Sequence, residues 1–414
     1  MILNLIFGLL ALLSLVLTLW QWLVARRFAL HQRNPEPSRP IPRPSVTLLK
    51  PLKGCEPATE DCLRSWFTQQ YNGSTQILFG VAKAEDPVCG IVRQLMREFP
   101  ATDAQLVVGT PLPGANAKVA KLAELERLAK HDLLVISDAD VRVPPDFLAN
   151  IVAPLGDDAR YESEECGSRA RSCGLVCCFY RLANPTTAAM QWEAVAINAD
   201  FWSQVLQSRS LKPIDFALGA VMATRRQQVR EIGGFEALAD CLADDYQLGH
   251  RIARCGYDIA LSPVVVECWS APMGWAAVGK HQLRWARTIR VCQPAPYFFS
   301  ILSNATLWPM LWLALKPAAP VAACAVFCWL VRSLSALDLQ QRLNRNPAPG
   351  GSISPHAPSS ACPQTPALWR YAWLALLKDL LQSAIWLLAF MGNSIEWRGE
   401  RMRLRRDGTL VRRR

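Results

Sequence analysis

Leu133-Leu134-Val135-Ile136-Ser137 runs straight into Asp138-Ala139-Asp140, an apolar stretch ending in two carboxylates two residues apart. Unpaired charges are costly inside a buried strand, whereas open α/β sheets hold ligands at the carboxyl ends of their strands. Side chains at i and i+2 of an extended segment point the same way, so Asp138 and Asp140 face one site. Hard oxygen ligands so placed suit Mg²⁺ or Mn²⁺ carrying a diphosphate, although a plain Asp-rich turn gives the same three letters. Asp86, just past another apolar stretch, offers a carboxylate to a nucleotide base or ribose, or else belongs to an ordinary Asp-Pro turn. Gly114-Ala115-Asn116-Ala117-Lys118-Val119-Ala120-Lys121 reads as a glycine turn entering a helix. It presents N–H groups and cations to phosphate, or simply a solvated lysine face. Asp244-Asp245-Tyr246 opens another helix, where acids complement the dipole or supply a general base, and adjacency raises the pKa of one. Lys280-His281-Gln282-Leu283-Arg284-Trp285-Ala286-Arg287 reads as a basic amphipathic helix on a membrane surface. Within it Arg284 can neutralise a leaving diphosphate and Trp285 can wall an acceptor site. His281 reads as structural, with no second His at metal-ligand spacing.

The elements that must position these residues alternate. Strands are predicted at 46–54, 76–82, 105–109 and 133–137, with helices at 58–70, 88–98 and 117–130 between them. That pattern implies an α/β domain with a mostly parallel sheet covered on both faces. Residues 157–172 read as a surface insertion and 174–180 as apolar chain. A long aromatic-bearing helix follows over 186–207, whose Trp192, Phe201 and Trp202 pack in the core or line a lipid approach. Strands at 219–224 and 260–268 flank a Gly233-Gly234 turn and a helix at 244–255.

Composition adds a membrane. Of 414 residues 51% are hydrophobic, and 15 Trp and 29 Pro fit a membrane-associated chain. The net charge of +11 suits an anionic membrane surface. No basic run interleaved with aromatics suggests a nucleic-acid groove. The 14 Cys show neither a secreted framework nor zinc spacing, which implies reduced thiols and a cytosolic catalytic part. Residues 2–24 are long enough to span a bilayer, and Arg26, Arg27 and Arg33 place their carboxyl end in the cytosol. The chain thus divides into an anchor (1–25), a Pro-rich linker (26–45), an α/β domain (46–290), a transmembrane hairpin (297–333), a polar loop (338–367), a membrane or interfacial helix (368–391) and a basic tail (392–414). Lys378 and Asp379, and the Arg-rich tail beyond, favour an interfacial or re-entrant 368–391 with the tail cytosolic.

Asp86, Asp138-Ala139-Asp140, Asp244-Asp245 and Gln282-Leu283-Arg284-Trp285, in that order, resemble the D, D, D, (Q/R)xxRW series of family-2-like membrane glycosyltransferases. The chain looks most like the ceramide glucosyltransferase family (family 21) and its bacterial relatives in hopanoid biosynthesis. Leu49-Lys50-Pro51-Leu52-Lys53-Gly54, Asn116-Ala117-Lys118, Trp397-Arg398-Gly399 and Arg403-Leu404-Arg405 add to the likeness. The resemblance implies a GT-A fold and inverting transfer from UDP-glucose or UDP-N-acetylglucosamine to a lipid hydroxyl, on a hopanoid such as bacteriohopanetetrol or on ceramide. It implies that Lys50, Asp86, Lys118 and Asp138 contact the donor, and that Asp138 and Asp140 hold Mg²⁺ or Mn²⁺. Asp245 would be the base, with Gln282, Arg284 and Trp285 completing the site. Asp244 stands where that family commonly has Glu, and Asp138-Ala139-Asp140 is a fuller metal pair than the animal motif. A bacterial inner-membrane protein with a cytosolic catalytic domain is expected. The alternatives are a processive polysaccharide synthase, a polyprenyl-phosphate sugar transferase and a non-enzymatic nucleotide-binding module.

Overall fold

A computed structural model describes residues 1–33, 43–109, 114–156, 171–345, 372–397 and 400–412. Residues 34–42 of the Pro-rich linker, nearly all of the 157–172 insertion, 346–371 and the short stretches 110–113, 398–399 and 413–414 lie outside the described residues. The chain forms two compact units. One comprises Met1–His31, Pro185–Ser210 and Met273–Gly392; the other comprises Gln32–Asn184, Leu211–Pro272 and Asn393–Arg414.

The second unit is built on β1 (Val46–Pro51), β2 (Thr75–Val81), β3 (Asp103–Val108), β4 (Leu133–Ser137), β5 (Val141–Arg142), β6 (Cys173–Leu182), β7 (Val221–Arg225) and β8 (Asp258–Cys268). They form one sheet in the order β3-β2-β1-β4-β7-β6-β8-β5. The β3-β2-β1-β4 half is wholly parallel, while β7 pairs antiparallel with β4 and β6, and β5 antiparallel with β8. Alternation along β1, β2 and β4 sends Leu48, Ile77 and Val135 into one large apolar core. In the full chain order the helices are α1 (Ile2–Arg27), α2 (Thr59–Phe67), α3 (Val88–Glu98), α4 (Ala117–Leu128), α5 (Phe147–Ile151), α6 (Ala188–Val195), α7 (Trp202–Arg209), α8 (Arg226–Glu231), α9 (Asp244–Arg254), α10 (Trp275–Cys292), α11 (Pro294–Phe299), α12 (Leu307–Leu315), α13 (Ala319–Asn344) and α14 (Ala372–Phe390). Trp66 and Phe67 of α2 join that core, and α4 covers the opposite face, where a Cβ at Gly80 would lie 2.6 Å from Lys121.

The described residues of the basic tail include three strands. β9 (Ser394–Trp397), β10 (Glu400–Leu404) and β11 (Leu410–Arg412) make an antiparallel sheet in the second unit. Its turn is tied to the loop before α9: Leu410 N–H donates to the Asp240 carbonyl at 2.7 Å and Leu242 N–H to that of Gly408 at 3.3 Å.

The first unit corrects the expected contiguous 46–290 domain, because Pro185–Ser210 and α10 leave the sheet and pack with the apolar helices. Their aromatic and apolar faces bury against α1, α13 and α14. The expected 186–207 helix is interrupted between α6 and α7 by a wide π-type stretch over Ala196–Phe201, an irregularity often found at functional positions. In the expected hairpin, Pro294–Ser303 and Leu307–Leu315 meet at a bend of 54°. The helix after it continues through Asn344, past the predicted loop start at 338. Its polar end is held by α1 and the chain after it: Trp22 Nε1 donates to Asp338 at 2.7 Å, and a His31 ring nitrogen lies 3.0 Å from the Arg342 carbonyl.

These bonds fix direction. The start of α1 meets Trp312, whose Nε1 donates to Asn4 at 2.8 Å, and shares an apolar groove with Cys324 and Phe327. The end of α1 meets the end of α13, so α13 runs parallel to α1 and α12 leads the opposite way. Ser333 donates to the Ala372 carbonyl at 3.0 Å, while neighbouring Arg332 grips Asp379, two turns farther along α14. Arg332 makes two 2.8 Å bonds to Asp379 and one to Asp200, and Lys378 donates to Asp200 at 2.6 Å. Two cations thus face two carboxylates, which removes the cost that unpaired Lys378 and Asp379 would carry.

Candidate active site

Asp138 and Asp140 follow β4, beside the point where the strand order reverses across β1, the position at which such sheets open a ligand crevice. Burial, and then the neighbouring Asp138 charge, push the Asp140 carboxyl up to about 6. Beneath them lies Lys50 at the end of β1. Its side chain is wholly buried and its ammonium donates to Ser137 Oγ at 3.1 Å and to the Asp138 carbonyl. It also sits 5.3 Å from the centre of the Trp66 ring, and burial lowers its pKa to about 8. Lys50 therefore fixes the Asp138 backbone from below.

Asp86 is likewise engaged with backbone. Both its oxygens accept from Gly54 N–H at 3.0 Å, and Oδ1 also accepts from Val88 N–H at 3.1 Å. Gly54 has φ +71°, a conformation that favours glycine, and Asp86 holds this turn at the β1 end. The turn alternative raised by the sequence accounts for these bonds.

The central contact is made by Lys118. Asn116 caps α4 by accepting from the N–H groups of Lys118 and Val119 at 3.0 and 3.3 Å. That cap aims Lys118 at two carboxylates: its Nζ lies 2.7 Å from Asp138 Oδ1 and 3.0 Å from Asp244 Oδ2. Burial works against the Lys118 charge, but Asp138 and Asp244 outweigh it and hold the pKa above the ordinary lysine value. Asn116 Nδ2 donates to the Cys241 carbonyl at 2.9 Å and reaches Asp244 at 3.4 Å, fixing the lead-in to α9. Asp245 follows, its Oδ1 accepting from the Tyr246 N–H at 2.8 Å. Burial and Asp244 push its carboxyl up to about 6 against the pull of Lys118. Sequence reading passed over Gly219, yet a Cβ there would lie 2.6 Å from Asp245 Oδ2.

Gln282, Arg284 and Trp285 belong to the other unit, on α10. Gln282 is buried and donates to Glu193 Oε1 at 2.8 Å, so its amide serves to hold the helix. The Trp285 ring lies 6.1 Å from that of Phe201 and 4.7 Å from that of His281. Glu193 escaped the sequence reading; its one signal is a lone acid in the apolar run Trp192-Glu193-Ala194-Val195.

Among the described residues no group of three or more His, Cys, Asp or Glu side chains is arranged to hold a metal ion. Two carboxylates at a strand end nevertheless fit Mg²⁺ or Mn²⁺, which bind through one or two carboxylates while substrate phosphates and water complete the shell. The charge balance agrees, since Asp138, Asp140, Asp244 and Asp245 outnumber Lys118 and Lys50.

Replacing Lys118 by Ala leaves Asp138 and Asp244 without their shared cation. A loss of about 2–4 kcal/mol is expected, less than for a wholly buried pair because Asp138 is partly exposed. Adding Asp244→Asn should recover part of it, measured by denaturant or thermal unfolding as a double-mutant cycle.

The profile of glycosyl transferase family 21 matches residues 6–410. A ceramide glucosyltransferase of Candida albicans is 34% identical over 136 residues, 30% of this chain and 25% of that protein. Ceramide glucosyltransferase 3 of Caenorhabditis elegans is 24% identical over 242 residues, 57% of this chain and 48% of that protein. Ceramide glucosyltransferase 1 of the same nematode is 22% identical over 390 residues, covering 92% of this chain and 75% of that one. The chain thus spans a quarter to three quarters of the length of these relatives. Among solved structures, a mannosyltransferase from Pyrobaculum calidifontis in complex with GDP-Man and Mn²⁺ shares 22% identity and a TM-score of 0.49, over 81% of this chain and 96% of that one. The mixed, mostly parallel sheet with helices on both faces is the GT-A architecture that the resemblance implied. With nearly its whole length matched, the chain belongs to glycosyl transferase family 21.

Proposed function

We propose that this chain is a membrane-bound hexosyltransferase that moves a sugar from a nucleotide-sugar to a lipid hydroxyl with inversion. The observation that carries the reading is Lys118, which draws the Asp138 and Asp244 motifs, more than 100 residues apart in sequence, onto one ammonium. Asp138 and Asp140 would hold a divalent cation, which when bound neutralises charge on the departing nucleoside diphosphate. Lys118 adds a fixed positive charge beside them. Asp245 takes the proton from the attacking hydroxyl; a carboxylate poised near 6 is mostly ionised at neutral pH while remaining basic enough to accept it. One base and one displacement invert the anomeric centre. Arg284, Trp285 and Gln282 enter on the strength of the family motif. The relatives named ceramide glucosyltransferases support a lipid acceptor, with ceramide or a hopanoid polyol as substrate and UDP-glucose or UDP-N-acetylglucosamine as donor.

The purified chain in lipid nanodiscs, given either donor and either acceptor, should form the glycolipid in the presence of Mg²⁺ or Mn²⁺; no product from any combination would overturn the reading. Asp245→Asn should lower kcat by about 10²–10⁴-fold while the protein stays folded. For the wild type, log(kcat/KM) should fall with unit slope below about pH 6, since protonation of a base with that pKa removes activity as pH drops. Gly219→Ala, which drives a methyl into Asp245, should cost about 10- to 100-fold in kcat, as small misplacements of reacting groups do.

The topology follows from the same frame. The tail sheet pairs with the loop before α9, which supports a return of the chain to the cytosolic side. Spans at α1, at Pro294–Leu315 and at α13, with α14 lying across them at the interface, give that even return. A phosphatase fused after Lys316 should therefore be active outside the cytosol, and a fluorescent protein fused to Arg414 should fluoresce within it. The reverse pattern would reject this arrangement.

A further inference from the structure

Glu193 is 1% exposed, and among the described residues no Lys or Arg pairs with it. A buried carboxylate needs donors. It has two, Gln282 Nε2 at 2.8 Å and His281 Nδ1 at 2.6 Å. A carboxylate only accepts, so Nδ1 of the imidazole carries a proton toward Glu193, and Nε2 is the nitrogen left to face a hydrogen-bonding group from outside. The His281 side chain is 27% exposed, and Nε2 has no hydrogen-bond partner among the described residues. One ring nitrogen is locked and the other is presented.

The surroundings specify what it meets. Trp285 stands 4.7 Å from the imidazole and Phe201 6.1 Å from Trp285, while Trp192 and Trp275 pair at 6.2 Å on the same two elements, α6 and α10. α10 packs on α14 and runs directly into α11 and the bent pair. An oriented polar atom beside the Trp285 ring, on a helix that packs with the apolar helices, suits a ligand with a hydroxylated head on an apolar body. We propose that His281 Nε2, held by Glu193, forms a hydrogen bond with a head-group hydroxyl of the acceptor lipid. Glu193 is then a positioning residue, shared by His281 and Gln282. This inference rests on the lipid-acceptor reading given above.

The test uses the full chain in phosphatidylcholine nanodiscs with UDP-glucose or UDP-N-acetylglucosamine, and ceramide or bacteriohopanetetrol as acceptor. Transfer and acceptor-free donor hydrolysis are measured separately. His281→Ala should raise the acceptor KM by about tenfold or more, the scale of one lost hydrogen bond, while donor KM and donor hydrolysis stay within twofold. Glu193→Ala should raise the acceptor KM as well but also lower donor hydrolysis, because it releases Gln282 along with His281, and Glu193→Gln, which keeps a carbonyl for the Nδ1 proton, should recover part of the acceptor KM. An unchanged acceptor KM in His281→Ala would overturn the inference, as would equal losses in transfer and donor hydrolysis. A wild type that hydrolyses donor but glycosylates neither lipid would instead overturn the lipid-acceptor reading, and the inference with it.

Discussion

One ammonium group organises the sheet-bearing unit. Lys118 reaches Asp138 at the end of β4 and Asp244 at the start of α9, so it sets the separation of the two acid motifs. Its aim depends on the Asn116 cap, which also anchors the loop leading to Asp244. That loop is in turn pinned from outside by the tail sheet through Asp240 and Leu242. Each tie is a modest bond, but together they fix a carboxylate pair that would otherwise repel itself apart.

The two units treat buried charge in opposite ways, and the contrast separates structure from chemistry. In the membrane unit Arg332 and Lys378 face Asp200 and Asp379, two cations against two anions, with Arg332 bidentate. Such a neutral, saturated cluster holds helices together and leaves no charge to bind anything. In the sheet unit four acids meet two cations, Lys118 and the buried Lys50, and Asp140 and Asp245 are both pushed up to about 6. A surplus of negative charge at the carboxyl edge of a sheet is the electrostatic ground on which the proposed divalent cation would bind.

Strands and their edges were legible because alternation and apolar runs are local properties. β4 has the boundaries its sequence implied, and α3 does too. The acid motifs were legible as types, whereas the bridge between them was not, since Lys118 and Asp244 are neighbours only after the sheet has formed. Lys50 was half legible for a related reason. A basic residue at a strand end resembles a phosphate ligand, and only the structure shows its ammonium turned inward onto Ser137. The contiguous domain failed because hydrophobicity does not state its partner: the faces of α6, α7 and α10 are as apolar toward a sheet as toward a span. Gly219 was invisible because its meaning lies in a distance to Asp245, not in its own backbone.

Glu193 shows where the remaining information sits. A lone acid in an apolar helix is costly, so its presence alone demands a partner, and the sequence offered no way to find one 88 residues ahead. Once found, that partner changes the sense of the Gln282-Leu283-Arg284-Trp285 motif. Gln282 does not face outward; it and His281 together neutralise the need of one buried carboxylate, and that demand fixes the rotation of α10 about its own axis. With the helix so turned, Trp285, one turn beyond His281, stands against the imidazole and Phe201. The motif is therefore better understood as two layers, an inner pair that orients the helix and an outer set that the orientation presents.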